Sequence, residues 1–383
     1  MTETPYLDEE HEMLRDQLRR FVREEVEPNG EQWERDGHVP RDVLRRMGEL
    51  GFFGLRYDEA YGGSGMDYRG TVVLAEELGR SSFGGFAITV QVHTDMASPH
   101  LANAGTPEQL QRYMPGIVAG ELITAVGITE PDAGSDVAGI KSRAARSGDE
   151  WVLDGSKIYI TNGVLADVYF IAAKTDGSAK GSRGISMFIV DKGTPGFTVE
   201  RKLDKMGWRS SDTAELRLEG CRVPAANLLG EVNHGFYAVM RNFQNERLAL
   251  SAQAVGEASK ALELTIDYAL ARPAFGKSLW QQPVIRNRLA ALSAEVAAAR
   301  ALVYETAWRA ARGHDVVREV SMAKALCGEL VNRVTYACQQ FHGGFGYMEG
   351  TAIERMVRDA RVQAIGGGAT EVMLEEVAKR LGN

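Results

Sequence analysis

Residues 127 to 139 read Gly127-Ile128-Thr129-Glu130-Pro131-Asp132-Ala133-Gly134-Ser135-Asp136-Val137-Ala138-Gly139. Three glycines and two hydroxyl residues in so short a span suit a backbone-rich loop lying close against a ligand better than the interior of a helix or strand. The same letters also fit an ordinary surface loop, so the flanking chain has to decide. The two sides differ in texture. The stretch sits at the entrance to a run of strand signals, with helical signals before it and again after that run.

From Glu9 to about Gly120 apolar residues recur at helical spacing. Leu14, Leu18, Phe21, Val22 and Val26 form a stripe among Arg and Glu, ended by Pro28-Asn29-Gly30. Pro40 opens a second helix through Val43, Leu44, Met47 and Leu50, closed by Gly51. A third runs from Val72 to Leu78, and Thr106-Pro107-Glu108 has the cap-then-proline form that begins a fourth.

From Gly120 to about Gly230 Trp151-Val152-Leu153 and Lys157 to Thr161 flank Asp154-Gly155, which predicts a hairpin turn there. Further strands are expected at 168–173, 185–190, 197–200 and 215–218. With no helices between them to make crossovers, the natural arrangement is a small antiparallel sheet. After Gly235 the chain reads helical to the end, broken at Arg312-Gly313, at Gly343 to Gly346 and at Gly366-Gly367-Gly368. The expected fold is therefore α+β and multidomain: an N-terminal α-helical domain over 1–120, a central antiparallel β domain over 121–232 and a C-terminal α-helical bundle over 233–383.

Composition bounds the function. At 383 residues, 44% hydrophobic and 25% charged, the chain has the makings of a large folded core. A net charge of −8 gives no support for nucleic-acid binding. Cys221, Cys327 and Cys338 are too few and too scattered for a disulfide framework or a metal-ligand pattern, so no metal is expected. No apolar run approaches the ~20 residues of a membrane span, and the acidic start lacks the features of a signal peptide, so a cytoplasmic protein is expected.

Four places could carry chemistry. Val239, Phe243 and Leu250 share a helix face, and Glu246 lies on it among them. A carboxyl buried there without a paired cation would have a raised pKa, matched to proton abstraction near neutral pH; a solvated or Arg-paired Glu246 fits the spacing too. Thr129 and Thr161 could offer hydroxyls to a ligand's hydrogen-bonding edge. Arg272-Pro273-Ala274-Phe275-Gly276 sets a cation and an aromatic after a long helix, suited to a pyrophosphate and a purine-like ring, or equally to a helix C-terminus. Gln340 to Tyr347 is a glycine-rich break whose backbone could approach a phosphate, and His342 within it has no catalytic signature.

Together these pieces resemble one family, in order and spacing, from about Leu14 to Arg380. GITEPDAGSDVAG is similar to the flavin-binding signature of the acyl-CoA dehydrogenases. Tyr159-Ile160-Thr161-Asn162-Gly163 resembles the family's aromatic-Ile-Thr-Asn-Gly strand, Arg272 to Gly276 its Arg-x-x-Phe-Gly, and Gln340 to Gly344 its Gln-x-x-Gly-Gly. The resemblance implies FAD as cofactor, an acyl-CoA substrate, an electron-transfer flavoprotein as acceptor and a homotetramer built as a dimer of dimers. It places Val126, Ile128, Thr129, Gly134 and Ser135 at the flavin, Tyr159 against the isoalloxazine and Thr161 near N5. Arg272, Phe275, Gln340, Gly343 and Gly344 would hold the FAD of a neighbouring subunit, and Thr370 and Glu371 join the cofactor set. Ser135, Phe243, Arg247 and Gly367 would face the acyl-CoA.

One departure matters most. Many members carry the base in a C-terminal Glu-Gly-Thr, and that position here is Gly367. The isovaleryl-CoA and long-chain branches instead place it directly before an Arg on the earlier helix, which here reads Asn245-Glu246-Arg247. The resemblance thus singles out the same Glu246 as base, with the Gly367 N–H retained for the thioester carbonyl, and implies that Gly367→Ala should matter less than loss of Glu246. Ala369 and Pro283 replace a threonine and a glutamine that often contact FAD, and Gly366 replaces an often bulky residue, a hint of a roomy pocket for long or branched chains. An oxygen-using flavoprotein and a non-catalytic acyl-CoA-binding relative remain as alternatives.

Overall fold

The computed structural model describes residues 4–179 and 181–382. Helix α1 (Glu9–Phe21) opens on Glu9, Glu10 and Glu12 and closes on Arg19 and Arg20, charges that complement the helix dipole. A π-helical turn, Val22–Val26, continues it, so Leu14, Leu18, Phe21, Val22 and Val26 are all buried as the stripe predicts. Helices α2 (Gly30–Asp36), α3 (Arg41–Glu49), α4 (Tyr68–Gly79), α5 (Gly84–Gln91), α6 (Ser98–Ala104) and α7 (Pro107–Val118) complete the first block. Thr106 caps α7: its hydroxyl accepts from Gln109 N–H while the Gln109 side chain accepts from Thr106 N–H. Periodicity did not reveal α5, because every residue from Gly84 to Gln91 is buried and the helix has no polar face.

The middle block is one sheet of β1 (Thr124–Gly127), β2 (Arg143–Ser147), β3 (Glu150–Thr161), β4 (Val168–Lys174), β5 (Ile185–Asp191), β6 (Phe197–Lys202), β7 (Thr213–Pro224) and β8 (Leu228–Leu229). Its order is β6-β7-β3-β2-β4-β5-β8, with β1 also on β4. Most pairs are antiparallel as expected, but the sheet is mixed. β1 runs parallel to β4 from Thr124↔Val168 to Gly127↔Ile171, and β2 meets β4 in parallel at Arg143↔Lys174. The connection from β1 to β4, which holds the signature loop and a hairpin, is long enough to serve as a crossover without a helix.

The expected turn at Asp154-Gly155 is a correction. β3 runs straight through it with a register shift between Leu153 and Gly155, and the hairpin turns instead at Gly148-Asp149, between the paired Ser147 and Glu150. The Asp154 carboxylate accepts from Gly220 N–H at 2.7 Å, which ties this point to β7.

The last block is α8 (Gly235–Ala271), the short hairpin β9 (Pro273–Ala274) and β10 (Lys277–Ser278), then α9 (Pro283–Ala310), α10 (Val317–His342), α11 (Ala352–Ala360) and α12 (Thr370–Leu381). Pro283 is the first residue of α9, where a missing N–H costs nothing. α8 packs on α4 and α10. It crosses α4 at a glycine pair: a Cβ on Gly79 would fall 2.3 Å from Gln253 O, and one on Gly256 2.1 Å from Glu76 O. A second π-helical segment, Val92–Ala97, fixes the N-terminal half of α8. Asn242 donates to the carbonyls of Asp95 and Met96 at 3.2 and 3.0 Å, and Asn245 to that of Asp95 at 2.9 Å. Among the described residues no helix is long and apolar enough to cross a membrane, and all three cysteines are buried and free.

Candidate active site

Helix α8 presents the face that its periodicity predicts. Val239 and Leu250 are buried, Phe243 is half-buried against the same apolar cluster, and Glu246 lies between them, itself half-buried. That cluster also contains Ile128, Ala133 and Val137 of the signature loop, with Val126 packed on it. The loop's apolar residues and the base-bearing face of α8 therefore share one core.

Burial raises the Glu246 carboxyl to about 7, and the positive charges of Arg247 and Lys324 oppose that rise without cancelling it. Arg247, whose guanidinium lies 5.3 Å from the Phe243 ring centroid, has its own pKa lowered by burial, and its Nε is buried without a hydrogen-bond partner. Across from Glu246 lies the Gly366-Gly367-Gly368 turn. Gly367 has φ +63°, and a Cβ there would fall 2.2 Å from Leu250 Cδ1 and 3.2 Å from Glu246 Oε1. The position to which the resemblance assigns a C-terminal carboxylate thus has its side-chain space filled by Leu250 and Glu246 itself. A methyl group at position 367 would press on both, so Gly367→Ala is expected to be harmful, though less so than loss of Glu246.

The signature loop is pinned by its own carboxylate, Glu130. It accepts from Ser142 N–H at 3.0 Å and from the buried Lys157 ammonium at 2.6 Å, while Lys157 also donates to Ile128 O at 3.1 Å. Burial pushes the Glu130 carboxyl up, but Lys157 and these donors hold it below its ordinary value; burial lowers Lys157 to about 8. Thr129 is joined to β3 by its carbonyl, which accepts from Ile158 N–H at 3.0 Å. The next residue, Tyr159, lies at a register shift in β3 with φ +61°, and the bulge turns its ring outward to 66% exposure. Thr161, half-buried, ends the strand, and Gly134 and Ser135 are exposed.

This surface fits a flavin. A flat aromatic stands free beside the Thr129 and Thr161 positions, and Gly134 has open space where a side chain would stand.

Arg272, Phe275, Gln340, Gly343 and Gly344 are not brought to Glu246. They sit at the other end of α8, about 39 Å away at the rise of an α-helix. They are all exposed, with Phe275 at 95%, φ +52°, on the tip of the β9–β10 hairpin. The two segments adjoin through Tyr268, which stacks on His342 at 4.3 Å and on Phe345 at 5.9 Å, a packing role for that histidine. Thr370 and Glu371 form the first turn of α12, where Ala369 provides no side-chain cap, and Thr370 bonds Glu329 at 2.8 Å.

Two lysines escaped the sequence reading. Lys157 is in phase with Trp151 and Leu153 on the inner face of β3, and Lys324 is in phase with Val320, Cys327 and Val331 on the buried face of α10. Each is a cation on an apolar face, the same anomaly that exposed Glu246.

Profiles of the acyl-CoA dehydrogenase N-terminal, middle and C-terminal domains match residues 8–121, 125–221 and 233–382. The chain is 40% identical over 377 residues to the long-chain specific acyl-CoA dehydrogenase, mitochondrial, of Mus musculus, covering 97% of this chain and 86% of that one. It is 36% identical to the isovaleryl-CoA dehydrogenase, mitochondrial, of Pongo abelii, covering 96% and 87%. The crystal structure of acyl-CoA dehydrogenase from Geobacillus kaustophilus superposes with a TM-score of 0.95 at 42% identity, covering both chains completely. The chain belongs to the acyl-CoA dehydrogenase family. It is an FAD-binding flavoprotein oxidoreductase with that family's three-part fold.

Proposed function

We propose that this enzyme dehydrogenates a long or branched acyl-CoA between Cα and Cβ to a trans-2-enoyl-CoA, with Glu246 as the base. The observation that carries this reading is the Glu246 carboxyl, desolvated to a pKa of about 7 and set beside the Gly367 turn. Glu246 takes the α-proton, the Gly367 N–H receives the thioester carbonyl as negative charge grows on its oxygen, and the new double bond forms as the β-hydrogen departs with its electron pair. FAD, when bound, supplies the hydride acceptor. Proton and hydride leave from opposite faces of the Cα–Cβ bond, so the base and the cofactor must flank the chain.

Val126, Ile128, Thr129, Gly134, Ser135, Tyr159 and Thr161 would hold the flavin end, with Ser135, Phe243 and Arg247 toward the acyl-CoA. Arg272, Phe275, Gln340, Gly343 and Gly344 would serve the FAD of a neighbouring subunit in a homotetramer, since they lie too far from Glu246 to serve the same one, and Thr370 and Glu371 would complete the cofactor set. A Cβ on Gly366 would meet nothing nearer than Val362 at 3.7 Å, which supports a wide pocket. Domain boundaries at 120/121 and 232/233, an electron-transfer flavoprotein as acceptor and a cytoplasmic site, in keeping with three free thiols, complete the reading.

The test is the anaerobic visible spectrum of the FAD-loaded enzyme on addition of acyl-CoAs, short to long and straight to branched. We expect one long or branched class to bleach the flavin band, at a rate that rises with pH through about 7 as Glu246 ionises. Glu246→Gln should keep FAD and lose ~10²-fold or more in that rate. Near-normal reduction in the variant would remove Glu246 from its role. Bound FAD that no thioester bleaches would overturn dehydrogenation itself, and peroxide formed in aerobic turnover would favour an oxygen-using enzyme.

A further inference from the structure

We propose that Lys324 is a positioning residue for this reaction, locking the Gly366-Gly367-Gly368 turn onto α8 so that the Gly367 N–H and the Glu246 carboxylate address the same substrate. The inference rests on the reading above. Lys324 projects from α10 and is 2% exposed. Its ammonium donates to Gln363 O at 2.7 Å and to Gly368 O at 3.1 Å, carbonyls that bracket Gly367. Gly366, Gly367 and Gly368 carry no side chain to anchor the turn, and Gly367 and Gly368 have φ of +63° and +109°. Without the ammonium, two carbonyls would be left unpaired in a poorly hydrated place. α10 comes close enough for this contact because Gly328, one turn further on, lies against the same segment: a Cβ there would fall 2.7 Å from Gln363 O.

The same ammonium faces the base. The charged groups acting on Glu246 are Arg247 from its own helix and Lys324 from α10, and both favour its ionised form. The turn itself contributes no titratable side chain, and the α12 residues Glu376 and Arg380 act on Arg247. Lys324 thus couples two tasks: it fixes the hydrogen-bond donor for the carbonyl, and its charge opposes the effect of burial on the ionisation of the base.

The test compares FAD-loaded wild type, Lys324→Met and Lys324→Gln by anaerobic flavin reduction across pH with the acyl-CoA that the wild type uses. Both variants should hold FAD and lose ~10²-fold in limiting rate, the order of one lost carbonyl donor, with little change in KM. The ascending limb of their pH profile should move to higher pH, because the cation beside Glu246 is gone. Gln keeps one amide donor at similar reach and guards against a Met variant that misfolds. Variants that lose only thermal stability or FAD content, with the rate per bound FAD and the pH limb unmoved, would overturn the assignment and make Lys324 purely structural. A wild type that no acyl-CoA reduces would instead bring down the dehydrogenase reading, and this inference with it.

Discussion

Gly367 shows how much one missing Cβ can decide. The site can place its base on α8 only if the 367 position stays empty, because Leu250 Cδ1 and Glu246 Oε1 already occupy the space. We therefore predict that Gly367→Ala is not benign. Its φ of +63° costs an alanine ~1–2 kcal/mol, and the methyl group must displace Leu250 or the carboxylate. Flavin reduction should fall at least ~10-fold, the effect of even a small misplacement of reacting groups, while FAD stays bound; stopped-flow bleaching at saturating substrate measures it, and a rate within twofold of wild type would refute the steric argument. At this scale the sequence was partly legible. Glu246 stood out because a carboxylate interrupts an apolar stripe, and the structure half-buries it on that face. Its pKa could not be read there, because the Lys324 and Arg247 charges that oppose desolvation arrive by tertiary contact and by packing.

At the scale of the element, α8 carries a second buried acid on the same face. Two turns beyond Leu250, Glu257 accepts from Gln253 at 2.6 Å and from Gln363 at 3.3 Å, and Gln253 in turn accepts from Gln91 at 2.8 Å. Burial raises Glu257 from its ordinary 4.5 to about 8. Below pH 4.5 the carboxyl is neutral whether folded or unfolded. Between there and about 8 only the unfolded chain releases the proton, so stability is fully present at low pH and is lost as pH rises toward 8. Glu257→Gln keeps the acceptor oxygen and removes that loss. Its melting temperature should gain on wild type between pH 5 and pH 8, by the equivalent of ~1 kcal/mol or more, in paired thermal melts; a difference independent of pH would show that Glu257 is ionised in the fold. Element readings succeeded where a helix has two unlike faces, as in α1, and missed α5, which is buried all round. The Asp154-Gly155 turn misled because turn letters also suit a bulge, and the choice between them belongs to β7, whose Gly220 N–H holds Asp154.

At the scale of the whole molecule, the two halves of the expected FAD site lie at opposite ends of α8. One chain cannot close both on a single cofactor, so the proposed roles of Phe275 and Arg272 call for a second copy. Phe275→Ala should lower FAD retention ~10-fold or more, as the loss of a stacked aromatic and its neighbours' order implies, read as the visible-to-ultraviolet absorbance ratio after gel filtration. Co-assembled with Glu246→Gln, it should show more activity than the two variants assayed separately, since a mixed pair contains one site with an intact Glu246 and an intact partner hairpin. Absence of that gain in verified mixed oligomers would place both halves in one subunit.

The sequence by itself determined what local chemistry controls: the helical stripes, the capped start of α7, the strand-rich middle and the family's loop letters. These follow from φ/ψ preference and from side-chain periodicity along a single element. Tertiary structure alone decided that β1 runs parallel to β4, that Leu250 fills the vacant carboxylate position, and that Lys324 meets the Gly367 turn and faces Glu246. Those depend on which distant segments touch and on how completely they exclude water, and burial, register and charge coupling are properties of the assembled surroundings, which no single stretch of chain contains.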